Sequence, residues 1–161
     1  MSKPDILELL DVHPGTTAQL EAAYTLHKLW DTSDQEALVG EVAASIRGVV
    51  TNGIAGIKGD LIRQMPNLEI IAVLGVGVDS VDLETAKAEN VRVTNTPDVL
   101  TVGVAELAMA ILLDVGRKIT WNDRYLREGR WPKEGDPPLS NSLAGRTLGV
   151  LGMGRIGQAI A

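Results

Sequence analysis

Short apolar runs alternate with helix-length segments through the first part of this chain, and this alternation leaves few folds open to it. Runs rich in Val, Ile and Leu fall at residues 6–10, 26–30, 47–51, 69–74 and 91–94. The segments between them carry turn and capping residues and are long enough for short helices. Strands that alternate with helices form βαβ units, and such units build a parallel sheet. The sequence therefore predicts an α/β domain with a parallel sheet.

Composition supports a packed aliphatic core in this domain. The 161 residues include no Phe, three Trp and two Tyr, and 45% of them are hydrophobic. Val, Leu, Ile and Ala must therefore fill the core, which suits strands that are buried on both faces. Moderate charge with plentiful apolar residues also argues against disorder.

Charge and cysteine content exclude several classes of function. The formal net charge of −6 argues against nucleic acid as a partner, because phosphates require a basic surface. The absence of Cys excludes disulfides and thiolate metal sites, and we expect no metal site and a cytoplasmic location. Neither a signal-peptide apolar run nor an uninterrupted stretch of 18 apolar residues is present, so we expect no membrane segment.

The pattern changes after residue 98, where we place a domain boundary between residues 1–98 and 99–161. Residues 102–117 predict one long helix whose broad apolar face belongs in a core or an interface. Residues 119–130 predict a charged amphipathic helix. Residues 147–151 predict a strand that runs into a glycine-rich turn.

The glycine-rich turn, Gly152-x-Gly154-x-x-Gly157, matches the phosphate-binding pattern of dinucleotide sites. Gly152 permits the tight turn, Gly154 lets the backbone approach a pyrophosphate, and Gly157 lets helix and strand pack closely. The alternative is a strand–helix turn that binds no ligand. The residue that would recognise the ribose belongs about 20 positions further on, whereas four residues follow Gly157. We therefore expect that this chain alone does not enclose a dinucleotide.

A second candidate site follows the run at residues 69–74. In parallel sheets, ligands bind beyond the carboxyl ends of strands, and the amides of Val76 and Gly77 could hold a carboxylate there. The alternative is a structural turn in which Asp79 or Ser80 caps the next helix. Thr101 is similarly either the cap of the long helix or a residue that faces a cofactor.

The two histidines do not suggest a catalytic site. Neither His13 nor His27 has a Ser, Cys or acidic partner at a telling spacing, so we expect neither to have a catalytic or metal-binding role.

Taken in order, the motifs resemble the D-isomer-specific 2-hydroxyacid dehydrogenases, in particular the glyoxylate, hydroxypyruvate and hydroxyphenylpyruvate reductases. The matching segments are residues 67–71, 75–79, 91–101, 105–108 and 152–157. The resemblance extends from about Arg47 to the last residue. Two positions depart from the family pattern: Gly75 stands where many relatives have Ser, and Val102-Gly103 replaces a commonly acidic, polar pair.

The resemblance implies a flavodoxin-like, parallel-sheet substrate domain followed by the truncated start of a Rossmann NAD(P)-binding domain. A final helix of the family returns to the substrate domain. Val76 and Gly77 would bind the substrate carboxylate. Thr101 would lie near the nicotinamide, and Gly154, Arg155 and Ile156 would cradle the pyrophosphate between Gly152 and Gly157. The family's catalytic Arg, Glu and His all lie beyond the end of this chain.

The resemblance further implies an oxidoreductase that uses NAD or NADP to reduce a small 2-keto acid, such as glyoxylate or hydroxypyruvate, to the D-2-hydroxy acid. The parent protein is expected to form a homodimer through its nucleotide domain. The 161-residue chain alone is expected to be inactive. The alternative is a stand-alone flavodoxin-like binding or interaction module, or an inactive fragment.

Overall fold

A computed structural model describes residues 3–161, and the chain divides after Pro97 into two units, Met1–Pro97 and Asp98–Ala161. In the described part of the chain, no helix is both long and apolar enough to cross a membrane.

The first unit is built on five parallel strands. They are β1 (Asp5–Glu8), β2 (Thr25–Lys28), β3 (Ile46–Asn52), β4 (Ile70–Leu74) and β5 (Arg92–Thr94), in the spatial order β2-β1-β3-β4-β5. The chain first steps outward from β1 to β2, and then returns past β1 to continue on its other side. The carboxyl ends of β1 and β3 thus flank the point at which the strand order reverses. The predicted α/β fold with a parallel sheet is confirmed.

Four helices connect these strands: α1 (Pro14–Ala23), α2 (Gln35–Val42), α3 (Gly59–Arg63) and α4 (Leu83–Ala88). A single 3₁₀ turn, Leu29–Asp31, follows β2. Side-chain caps define several helix starts. Nδ1 of His13 accepts a hydrogen bond from the Gly15 amide before α1, and the Asp34 carboxylate accepts one from the Ala37 amide before α2. These bonds satisfy amides that lack a partner within the helix.

The core of the first unit lies mainly on one face of the sheet. Its most completely buried side chains include Leu7, Ile46, Val49, Ile62 and Ile71. The other face has a smaller cluster of Ile6, Val12 and Val50. An open groove of about 360 Å³ lies beside that smaller cluster. Apolar residues of β1, β3 and β4 line it: Ile6, Gly48, Val50, Ile70 and Ala72.

The second unit is helical in the described residues. It contains α5 (Thr101–Arg117), α6 (Ile119–Arg127), α7 (Trp131–Glu134) and α8 (Arg155–Ile160), and α8 packs against α5. Lys118, with a left-handed φ of 55°, separates α5 from α6. The Asp114 carboxylate accepts hydrogen bonds from the Thr120 amide, at 2.6 Å, and the Thr120 hydroxyl, at 2.7 Å. Both hydrogen bonds lower the pKa of Asp114, and the bond from the Thr120 hydroxyl has the larger effect.

The strand predicted at residues 147–151 is wrong for this chain, because these residues have no regular secondary structure. A β-strand is stabilised by hydrogen bonds to neighbouring strands, and no other strand lies among residues 98–161.

Candidate functional site

The loop that follows β4 is held by the residues that follow β5. The Gly75 amide donates to Oγ1 of Thr96 at 2.9 Å, and the Gly75 carbonyl accepts from the Thr96 amide at 2.8 Å. The side-chain amide of Asn95 donates to the Val76 carbonyl at 2.9 Å. Gly75 has a φ of +125°, a conformation that a side chain would strain. The loop therefore has a defined shape, with its first two carbonyls bonded to protein.

The same loop presents two amides that are not bonded to protein. Among residues 3–161, no oxygen accepts a hydrogen bond from the backbone N–H of Val76 or of Gly77. Val76 is 43% exposed, so an incoming anion can reach this position. Consecutive unpaired amides beyond the carboxyl end of a parallel strand form a natural anion-binding site. They can hold a carboxylate without a basic side chain.

The loop that follows β3 supports this arrangement from the side. The Asn52 carboxamide oxygen accepts from the amides of Ile54 and Ala55, which folds the loop back on itself. A Cβ on Gly53 would lie 2.6 Å from the Gly77 carbonyl oxygen, so only glycine permits this approach. The two loops are therefore in backbone contact at Gly53 and Gly77.

Asp79 and Ser80 do not cap the following helix, contrary to the alternative raised by the sequence. The cap of α4 is Asp82, whose carboxylate accepts from the amide and the hydroxyl of Thr85, both at 2.9 Å. Both hydrogen bonds lower the pKa of Asp82, and the bond from the Thr85 amide has the larger effect. Asp79 is the only ionisable residue in the segment 75–80, so this segment offers an anion backbone amides and no basic side chain.

The glycine motif adopts a compact turn in the second unit. Gly152 has a φ of +95°, and a Cβ on Gly157 would lie 2.0 Å from the Gly152 carbonyl oxygen. Gly154 caps α8 in an extended conformation, and nothing lies within 4 Å of the position its Cβ would take. The turn thus has close backbone packing at Gly157 and open space at Gly154. This donor set fits a pyrophosphate group, which needs backbone access rather than side chains.

Arg155 and Ile156 follow directly on the exposed side of this turn. The Arg155 Nε lies 2.6 Å from Oδ1 of Asp98, and Ile156 is 37% exposed. Thr101 is the first residue of α5 and not its cap: the cap position is Leu100, which makes no side-chain capping bond. The helix begins at Thr101 because the chain turns at Asp98, which has a left-handed φ. The Asp98 carbonyl accepts a hydrogen bond from the Thr101 amide.

Sequence reasoning missed the partners of two polar residues in the first unit. His27 Nε2 lies 2.8 Å from Asp5 Oδ1, and the fully buried Glu8 accepts from the Trp30 indole at 2.8 Å. Each pair is 22 residues apart and is brought together by strand pairing, which the spacing alone did not indicate. Asp5 begins β1, at the opposite end from the carboxyl edge, so the His27 pair lies away from the candidate site.

The chain is similar to one known protein family and to individual members of it. The family model of the D-isomer specific 2-hydroxyacid dehydrogenase catalytic domain matches residues 6–155. A glyoxylate/hydroxypyruvate reductase A of Arabidopsis thaliana is 43% identical over 89% of this chain and 45% of its own length. A 2-ketogluconate reductase of Gluconobacter oxydans is 39% identical over 99% of this chain and 50% of its own length.

Solved structures give the same result. A 2-hydroxyacid dehydrogenase from Ketogulonicigenium vulgare superposes with a TM-score of 0.91 at 42% identity, covering 99% of this chain and 50% of the other. An NADPH-dependent glyoxylate/hydroxypyruvate reductase from Sinorhizobium meliloti, in complex with NADP and malonate, superposes with a TM-score of 0.87 at 40% identity, covering 99% and 49%. The chain thus spans about half the length of these relatives.

Proposed function

Because this chain belongs to the D-isomer specific 2-hydroxyacid dehydrogenase family, we propose that it forms the amino-terminal part of an NAD(P)-dependent oxidoreductase that reduces a small 2-keto acid. The product would be the D-2-hydroxy acid, with glyoxylate or hydroxypyruvate as the substrate type. One observation carries this proposal: the unpaired amides of Val76 and Gly77 lie beyond the carboxyl end of β4, an interior strand of the parallel sheet.

In this proposal the first unit, with its boundary near residue 98, is the substrate domain. The strand order β2-β1-β3-β4-β5 is the flavodoxin-like form of a doubly wound sheet, in which ligands bind at the carboxyl edge. The relative from Sinorhizobium meliloti, which binds NADP and malonate, supports a carboxylate ligand of this kind. The amides of Val76 and Gly77 would fix the substrate carboxylate and thereby orient the adjacent carbonyl.

The second unit would begin the nucleotide domain. Gly152, Gly154 and Gly157 would give the pyrophosphate access to backbone amides, with Arg155 and Ile156 beside it and Thr101 near the nicotinamide. The bound cofactor supplies the hydride. The residues of this chain would bind and position, whereas the proton donor would come from the remainder of the parent protein. We therefore expect the 161-residue chain alone to lack activity.

Two uncovered surfaces support a larger parent protein. The apolar groove on the sheet face, lined by Ile6, Val50 and Ile70, would be covered by the returning final helix of the family. Large apolar side chains on α5 are exposed, among them Leu107 at 60% and Val115 at 74%. Such a surface is typical of an interface, and we propose that it forms the homodimer.

The test is turnover by the parent protein with glyoxylate or hydroxypyruvate and either NADH or NADPH, followed by the absorbance of the reduced cofactor. We expect Gly77→Ala to raise the KM for the keto acid about tenfold or more, because the added methyl group obstructs the amides. The matched control is Gly40→Ala on α2, where nothing lies within 4 Å of the new Cβ. Normal kinetics in Gly77→Ala, or turnover by the 161-residue chain, would contradict the proposal.

A further inference from the structure

An acidic residue neutralises the only charged side chain of the glycine-motif segment. Arg155 is the one charged side chain in residues 147–161. Its Nε lies 2.6 Å from Oδ1 of Asp98, the first residue of the second unit. With this pair formed, the segment that we assign to pyrophosphate binding carries no net side-chain charge.

The backbone holds Asp98 in this place. Asp98 has a φ of +69°, a left-handed conformation that Asp tolerates better than most residues, and its carbonyl accepts the Thr101 amide at 3.3 Å. The turn that opens α5 therefore directs the Asp98 carboxylate towards α8, which packs on α5. The ion pair is a consequence of how the two helices meet.

The pair is also accessible and easily exchanged. The Arg155 and Asp98 side chains are 67% and 63% exposed. Exposed ion pairs of this kind stabilise a fold only weakly, so an incoming anion can replace the carboxylate. A phosphate oxygen is a suitable replacement, because the guanidinium forms strong charge-assisted hydrogen bonds with phosphate.

We propose that Asp98 is an internal competitor for Arg155: it pairs with the guanidinium when the site is empty, gives way to the pyrophosphate of the dinucleotide, and so weakens cofactor binding. This inference rests on the proposed function, because it takes the glycine motif to be the pyrophosphate site. It identifies a residue outside that motif that sets the affinity for the cofactor and its dependence on salt.

The experiment titrates the 161-residue chain with inorganic pyrophosphate and follows the NMR signals of the Gly152 and Gly154 amides and of Arg155 Nε–Hε. Asp98→Asn is the informative variant, since Asn also tolerates a left-handed φ and only the charge is lost. We expect it to lower the Kd for pyrophosphate about three- to tenfold at low salt, with the difference lost near 1 M salt. The same change in NADH affinity is expected in the parent protein by fluorescence titration.

Two controls separate competition from a general charge effect. Asp123→Asn removes a similarly exposed Asp–Arg pair within α6 and the same unit of charge, and it is expected to leave the Kd unchanged. In an Arg155→Gln background, Asp98→Asn is expected to have no effect. The proposal would be overturned if Asp98→Asn left pyrophosphate binding unchanged or weakened it, or if Asp123→Asn tightened binding equally. It would also be overturned if Asp98→Asn still tightened binding in the Arg155→Gln background, or if neither wild type nor Asp98→Asn bound pyrophosphate.

Failure of this inference is distinguishable from failure of the proposed function. Keto-acid turnover by the parent protein together with an unchanged Kd in Asp98→Asn would overturn the competition and leave the function intact. Tightened pyrophosphate binding in Asp98→Asn, without keto-acid turnover by the parent, would support the competition and contradict the function.

Discussion

Replacing Gly56 with Ala should destabilise the first unit and displace the segment after β4 that carries the candidate carboxylate site. Gly56 has a φ of +59°, and its new Cβ would lie 1.9 Å from the Ser80 carbonyl oxygen. Because real Cβ contacts stay beyond 3.0 Å, the two backbones must separate by about 1 Å or more. A left-handed alanine costs about 1–2 kcal/mol, and overpacking about 1–3 kcal/mol. We therefore expect a loss of about 2–5 kcal/mol in the free energy of unfolding.

Gly77→Ala is the matched control for this prediction. Its new Cβ would meet only Asp79 Oδ2, at an ordinary 3.6 Å, so stability should be unchanged while carboxylate binding is weakened. Urea unfolding followed by Trp30 fluorescence, in a background with Trp121→Phe and Trp131→Phe, reports on the first unit. An unfolding free energy for Gly56→Ala within about 0.5 kcal/mol of wild type would refute the steric argument. Equal destabilisation by both variants would refute it as well.

Three further predictions concern stability and assembly. Trp30→Phe should cost about 1–3 kcal/mol in urea unfolding, because it removes the donor that bonds the buried Glu8 carboxylate, for which residues 3–161 offer no other. Glu8→Met in the same chain should restore part of the loss. Asp82 and Asp114 have lowered pKa values in the folded chain, so the stability they contribute is present above the ordinary Asp pKa of about 4 and is lost as the pH falls below it. The free energy of unfolding in urea should therefore differ less between pH 3 and pH 6 in Asp82→Asn than in wild type. Leu107→Glu should abolish self-association in light scattering without loss of helical circular dichroism, and an unchanged assembly mass would exclude α5 as the interface.

The parallel sheet could be predicted because its information is local and repeated. Each of the five apolar runs forms a strand, and three of the four intervening helices begin at residues with capping side chains: His13, Asp34 and Asp82. The cap of α4 could not be predicted from the sequence, since Asp79 and Ser80 suit a cap as well as Asp82 does. Only the structure shows that a bridge between Ile57 and Val81 keeps this segment extended until Asp82.

The contacts at the candidate site could be predicted from the sequence less well than the sheet that supports it. Glycine spacing indicated Val76 and Gly77, but it could not indicate that Asn95 and Thr96 bond the neighbouring carbonyls and leave these amides unpaired. The ion pair of Asp98 and Arg155 was likewise invisible, because 57 residues separate its members in the sequence. Contacts of this kind depend on how helices and strands pack, which no local pattern encodes.

The glycine motif separates what a sequence specifies locally from what needs a partner. The turn at Gly152 and the close approach of Gly157 to its carbonyl form although residues 147–151 are not a strand. The turn depends on left-handed backbone and on the absence of a Cβ, both of which are properties of the glycines themselves. The strand depends on ladder hydrogen bonds from neighbours that residues 98–161 do not provide. The conformation of a glycine turn can therefore be predicted from glycine spacing, whereas the strand that leads into it can be predicted only together with the sheet it joins.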